Sequence, residues 1–233
     1  MKMMAIGTAC GLFAALAQAA AAQDRPVVVE LYTSQGCSSC PPADDFFATL
    51  AADPGVIPLA LHVDYWDYIG WADAFASPHF TARQKAYARA SGSRTIYTPQ
   101  LIIDGGTRIE GNEPERVLEA IANARAVPPA FDLTLTREGG SLRIRASARP
   151  GAVQPVKVQL VRYHDEETVS IDRGENAGRT VTYRNIVTDW QPVADWAGEP
   201  PLDLAVKLEG EGPAVVILQS AGPADIVAAA RID

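Results

Sequence analysis

The sequence predicts an α/β amino-terminal domain followed by a small antiparallel, β-sandwich-like carboxyl-terminal domain. Two runs, Val27 to Tyr32 and Val56 to Val63, are almost continuously apolar and flank Pro41 to Ala52, whose Phe46, Phe47 and Leu50 recur at helical spacing. This is βαβ order, which makes the strands parallel and buries both of their faces. From Phe131 onward the pattern changes to short runs of period two, separated by Gly-Gly, Pro-Gly and Gly-Pro, as antiparallel strands require. Between the halves, Val127-Pro128-Pro129 reads as a linker, dividing the chain into residues 23–127 and 130–233.

Residues 1–22 read as a signal peptide: Lys2, an apolar run too short to span a bilayer comfortably, then Ala17-Gln18-Ala19. Cys10 leaves with it. The expected mature protein is exported, periplasmic or secreted, with no stable membrane insertion once the signal is cleaved. The formal charge of −8 argues against nucleic acid or an anionic membrane as partner. No cofactor is implied.

In the first half, the turn Asp53-Pro54-Gly55 closes the first helix, and the aromatic stretch Asp64 to Trp71 follows the second strand. Ser77-Pro78 reads as N-cap and first residue of a helix over His79 to Ala90, ended by Gly92. Thr95 to Ile103 is a strand interrupted by Pro99, turned through Asp104 to Thr107 into Arg108-Ile109-Glu110. Asn112 caps a helix from Glu113 to about Arg125. In the second half, strands are expected at Phe131–Leu135, Leu142–Ala146, Val156–Val161, Leu204–Leu208 and Val215–Gln219, with Ile226–Ile232 a last strand or a short helix.

The chemistry centres on Cys37-Ser38-Ser39-Cys40, at the carboxyl end of the first strand and the start of the first helix, an edge where sites of open α/β sheets lie. With the leader removed these are the only cysteines, so they can bridge each other, a substrate or a metal. Unpaired backbone N–H groups at a helix start favour a thiolate, the nucleophile of disulfide exchange. On this reading Cys37 attacks, Cys40 resolves the mixed disulfide, and Glu30 exchanges a proton with Cys40. Two bland alternatives stand beside it: a structural disulfide, and a metal module, copper by preference, using Cys37, Cys40 and His62. Trp66 and Tyr97 are candidate substrate contacts. Arg173, Glu175, Asn176 and Arg179 form a polar loop expected to dock near the cysteines and shape the cleft.

The order of elements, with Cys37 to Cys40 opening the first helix and Thr98-Pro99 opening the hairpin, resembles the thioredoxin fold from Val27 to Ala126. The resemblance implies a cis proline at Pro99 beside the disulfide, with the backbone of Thr98 free to pair with a bound peptide. More closely, Glu30-Leu31-Tyr32-Thr33-Ser34-Gln35-Gly36-Cys37, His62-Val63-Asp64-Tyr65-Trp66-Asp67 and Arg173 to Arg179 resemble an uncharacterised family of secreted thioredoxin-like bacterial proteins. Two departures from thioredoxins stand out. The acid on the first strand is seven residues ahead of the first cysteine rather than six, a difference the loop Thr33 to Gly36 is expected to absorb, and Ser38-Ser39 replaces Gly-Pro between the sulfurs. The implied function is an exported thiol–disulfide oxidoreductase acting on protein or small thiol substrates, recharged by a redox partner that the sequence does not name.

Overall fold

In the computed structural model, which describes residues 25–111 and 113–233, strand β1 (Val27–Thr33) is buried along its whole length. The expected signal peptide and the expected Asn112 cap lie outside the described residues. β1 pairs in parallel with β2 (Val56–His62) and antiparallel with β3 (Gln100–Ile103), which turns into β4 (Thr107–Glu110). Strand alternation divides the core. Val27, Val29 and Leu31 pack with Phe47 and Leu50 of α1 (Pro41–Leu50) and Val117 and Ile121 of α3 (Pro114–Arg125). Val28 and Tyr32 point the other way, into the cluster that holds Phe80 and Tyr87 of α2 (Pro78–Ala90).

The helices start where the sequence supplies starts. Cys40 is the N-cap of α1 with Pro41 in its first turn, a position where a missing N–H costs nothing. The Ser77 hydroxyl caps α2 by accepting from the backbone N–H of His79 at 3.2 Å. Pro99 closes a cis peptide with Thr98, and the strand begins only after it, at Gln100; the stretch Thr95 to Pro99, expected as strand, is not one.

The second half departs from expectation. β7 (Val156–Ile171) and β8 (Arg179–Trp196) form one long hairpin, paired from Val156↔Trp196 to Ile171↔Arg179. β10 (Ala214–Ser220) and β11 (Ile226–Ile232) extend it on the far side. β8 then meets β2 in parallel through Ala60↔Ile186, giving one mixed eight-stranded sheet in the order β11-β10-β7-β8-β2-β1-β3-β4. A three-stranded sheet of β5 (Phe131–Glu138), β6 (Ser141–Ala148) and β9 (Leu202–Lys207) packs on it through a core that includes Leu142, Ile144, Val158 and Val216.

The predicted fold class is therefore corrected. A thioredoxin-like α/β domain followed by a separate small β-sandwich is not what the described residues form: they hold eleven strands and three α-helices, and strands from both halves share one sheet. The physical reason lies at β2, every residue of which is buried. So apolar a strand makes a poor exposed edge, and β8 covers it. A buried polar network adds a second tie between the halves: Gln219 of β10 accepts from Arg83 and donates to Tyr87, both on α2, and also accepts from Gln159 of β7. The Arg83 guanidinium lies 3.7 Å from the ring centre of Trp190 on β8.

Candidate functional site

Beyond Thr33 the chain turns through Ser34-Gln35-Gly36 into the cysteine loop, with the Cys37 N–H donating to the Ser34 carbonyl at 3.1 Å and the Cys40 N–H to the Cys37 carbonyl at 3.2 Å. Cys37 and Cys40 are joined as a disulfide. Both residues are 0 % exposed, while Ser38 and Ser39 between them face solvent. The Ser39 hydroxyl lies 3.4 Å from the Cys37 sulfur and donates at 3.5 Å to the carbonyl of Thr98, the residue before the cis proline. Trp66 donates its indole N–H to the Thr98 hydroxyl at 2.7 Å. Thr98, Pro99 and Trp66 are thus gathered at the cysteine loop. Tyr97 is half-buried, its carbonyl held by the Gln84 side chain at 2.7 Å.

The Asp172–Arg179 loop, which joins β7 to β8, reaches the same place. Asn176 is buried and donates its amide to the carbonyls of both Gln35 and Cys37 at 2.9 Å. Gly174 sits at φ 78°, and a side chain there would begin 3.2 Å from Trp71 Cβ; a residue with a Cβ would suffer both backbone strain and crowding. Arg173, Glu175 and Arg179 are exposed and form no salt bridge among the described residues.

Glu30 lies elsewhere. It shares the face of β1 with Val28 and Tyr32, across the sheet from α1. Its carboxylate accepts from Arg83 Nε and Nη2 at 2.8 Å, Tyr32 at 2.8 Å and Tyr87 at 2.7 Å. Burial and the Glu30 charge hold both tyrosine hydroxyls well above their usual range. The loop before Cys37 does not absorb the extra residue: in a strand, a shift of one residue moves a side chain to the opposite face.

On the α1 face, beneath the cysteine loop, lies a buried polar chamber. Thr33 at the end of β1, His62 at the end of β2 and Asp44 of α1 converge there, with Asp73, Gln35 and Asn176 around them. His62 Nδ1 is 2.7 Å from Asp73 Oδ2, and its ring is gripped edge-on by Phe75 and Tyr183 at 5.2 and 4.9 Å between centres. Burial works against the Asp73 charge, but His62 and the backbone N–H groups of Gln35 and Phe75 outweigh it and hold Asp73 below its ordinary value. Burial pushes Asp44 from 3.8 up to about 7, against the pull of His62 and of the Thr33 hydroxyl. Asp44, Asp73 and Thr33 escaped the sequence reading; the available signals were the spacing of Asp44, one helical turn after Cys40, and the shared strand parity of Thr33 and His62.

No group of three or more His, Cys, Asp or Glu among the described residues is arranged to hold a metal ion while Cys37 and Cys40 are joined as a disulfide. A cavity of about 540 Å³, lined in part by Arg25, Asp104 and Asn123, lies at the other end of β1 from the cysteines.

A disulfide at the start of a helix, on a mixed sheet that both halves build, defines a cysteine-pair protein. Residues 28–219 match a family described as "Protein of unknown function (DUF1223)", and the chain belongs to that family. It is similar to a protein of Agrobacterium tumefaciens solved by X-ray crystallography, at 31% identity and a TM-score of 0.79, over 91% of this chain and 96% of that one. Its fold is also similar to that of HBP35 of Porphyromonas gingivalis, at 12% identity and a TM-score of 0.65, over 90% of this chain and 75% of that one. No curated protein matches.

Proposed function

We propose that the protein is an exported thiol–disulfide oxidoreductase in which Cys37 and Cys40 exchange a disulfide with a protein or small thiol substrate. One observation carries this reading: the cysteine loop is fastened, through Gln35 and Asn176, to a buried polar chamber that a cross-link has no use for. Closing so short a loop stabilises a chain by only about 2 kcal/mol in the chain-entropy model, less than burying several polar groups beneath it costs. In the exchange, the Cys37 thiolate attacks a substrate disulfide, forming a mixed disulfide and releasing one substrate thiolate. Cys40 then attacks the Cys37 sulfur, restoring Cys37–Cys40 and releasing the second thiolate. Two electrons pass to the substrate, and the reverse sequence oxidises a dithiol. Access opens at the exposed Ser38-Ser39 turn, where the Ser39–Thr98 contact parts.

A second reading has its own supporting observation. Both cysteines are wholly shielded from solvent, as suits a structural disulfide in a redox-inactive interaction protein. Equilibration with glutathione separates the two. A midpoint between about −120 and −270 mV supports exchange, and one well below about −300 mV identifies a structural bridge. Cys40→Ser is expected to trap a mixed disulfide through Cys37 if the pair exchanges, and to trap none if it does not.

A further inference from the structure

The buried side-chain polar atoms that lack a hydrogen-bond partner among the described residues are Thr33 Oγ1, Gln35 Nε2, Asp44 Oδ2, His62 Nε2 and Asn176 Oδ1. All five belong to the chamber beneath the disulfide. Thr33 lies close enough to Asp44 for its hydroxyl to lower the carboxyl, but Gln35 Nε2, His62 Nε2 and Asn176 Oδ1 remain without a partner, and each such atom costs about 1–3 kcal/mol if left unpaired. Their chemistry is complementary: the Gln35 amide donates, Asn176 Oδ1 accepts, the Thr33 hydroxyl does both, and His62 presents Nε2 because Nδ1 is turned to Asp73. Water, a donor and an acceptor in one small molecule, is the occupant that satisfies such a set.

Cys40 stands one helical turn before Asp44. It is the N-cap of α1, and the Asp44 N–H donates to its carbonyl at 3.0 Å. Side chains four apart on a helix are separated by about 5–6 Å at Cβ, and helical side chains lean toward the amino terminus, which sends the Asp44 carboxyl back toward Cys40.

We infer that Asp44 accepts the proton of the Cys40 thiol, through water held in this chamber, as Cys40 closes the disulfide. The inference rests on the redox reading above. As Cys40 attacks the Cys37 sulfur of a mixed disulfide, the Cys40–Cys37 bond forms, the bond from Cys37 to the substrate sulfur breaks, and the substrate leaves as thiolate. The Cys40 proton passes to Asp44, and the reverse reaction returns it. His62, fixed by Asp73, positions the water. The groups facing Asp44 are Thr33 of β1, His62 of β2, Asp73 of the loop after it, Asp45 on its own helix and Tyr183 of β8. Burial places the carboxyl at about 7, close enough to neutral pH to take and return a proton.

The test follows resolution of a mixed disulfide between the reduced protein and 5,5′-dithiobis(2-nitrobenzoate) from pH 5 to 9, by the second equivalent of thiolate released. In the unsubstituted protein the resolution rate should rise through a step near pH 7. Asp44→Asn should remove the step and slow resolution by about a hundredfold at neutral pH, while leaving the first equivalent unchanged. His62→Gln, which keeps Asp44 but removes its attractive neighbour, should move the step to higher pH, and so tests the inference even if Asp44→Asn does not fold. A resolution profile unaltered in both variants overturns the inference alone. Failure of Cys37 to form any mixed disulfide overturns it together with the redox reading.

Discussion

Asn176 and Cys37, 139 residues apart in the chain, are joined by a 2.9 Å hydrogen bond from the Asn176 amide to the Cys37 carbonyl. The same amide holds Gln35, so the β7–β8 loop fixes the backbone on which the disulfide is mounted. Asn176→Ala would leave two buried carbonyls without their donor, costing about 1–3 kcal/mol. It should also uncover the cysteine loop. Urea unfolding should show the loss of stability, and the rate of iodoacetamide modification of the reduced protein should rise relative to the unsubstituted chain.

Glu30→Ala tests a different kind of contribution. It strands the Arg83 guanidinium in a buried site, and breaking such a pair from one side costs about 3–5 kcal/mol. The expected result is a large drop in the denaturation midpoint with the pH profile of thiol exchange unchanged in shape. A profile that loses its step near neutrality would return the proton-transfer role to Glu30.

Asp44 makes stability depend on pH in a calculable direction. Its folded-state value of about 7 lies above the ordinary 3.8, so the native state holds this proton more tightly than the unfolded chain. The resulting stabilisation is complete below about pH 4 and is lost as pH rises toward 7. At about 1.36 kcal/mol for each pH unit separating the folded and unfolded values, the change is at most about 4 kcal/mol. Asp44→Asn should flatten this part of the curve. Asp73, held below its ordinary value, acts in the opposite sense: it contributes above the ordinary carboxylate range and loses its contribution as pH falls through its lowered folded-state value. Denaturant titrations at half-unit pH intervals, with and without Asp44→Asn, separate the two.

A fragment of residues 25–127 should not fold by itself. Without β8, the buried strand β2 becomes an edge, and Gln219 no longer closes the network around Arg83 and Tyr87. The expected outcome is aggregation, or an amide spectrum without dispersion, where the full chain gives a cooperative transition.

Much of the first half was legible because its patterns are local. Continuous apolar runs marked β1 and β2, Ser77-Pro78 marked the start of α2, and a disulfide was open to two cysteines three residues apart. β8 was not legible. Only Val181 and Tyr183 alternate with the exposed Thr180, Thr182 and Arg184, Pro192 interrupts the run farther on, and its partner β2 lies more than a hundred residues earlier. Glu30 illustrates a different limit. Its burial was legible, but the face it occupies depends on a loop conformation that parity alone does not reveal. Asp44 was hidden because a single acid in the first turn of a helix reads as a favourable partner for the helix dipole, and only the neighbours brought in by β2, β8 and the Asp73 loop make it something else.

The eight-stranded sheet has one thin place. β1 and β2 are paired through seven successive residues, but β2 and β8 meet at the single pair Ala60↔Ile186. With one rung between them, the two ribbons are fastened by what lies across the seam: Gln219 on Arg83 and Tyr87, Trp190 on Arg83, and Asn176 on Cys37. The cysteine loop sits on one side of that seam and Asn176 on the other. The backbone that carries the sulfurs is thus clamped by a side chain from the far ribbon, and the second half of the chain serves the site as a fastening.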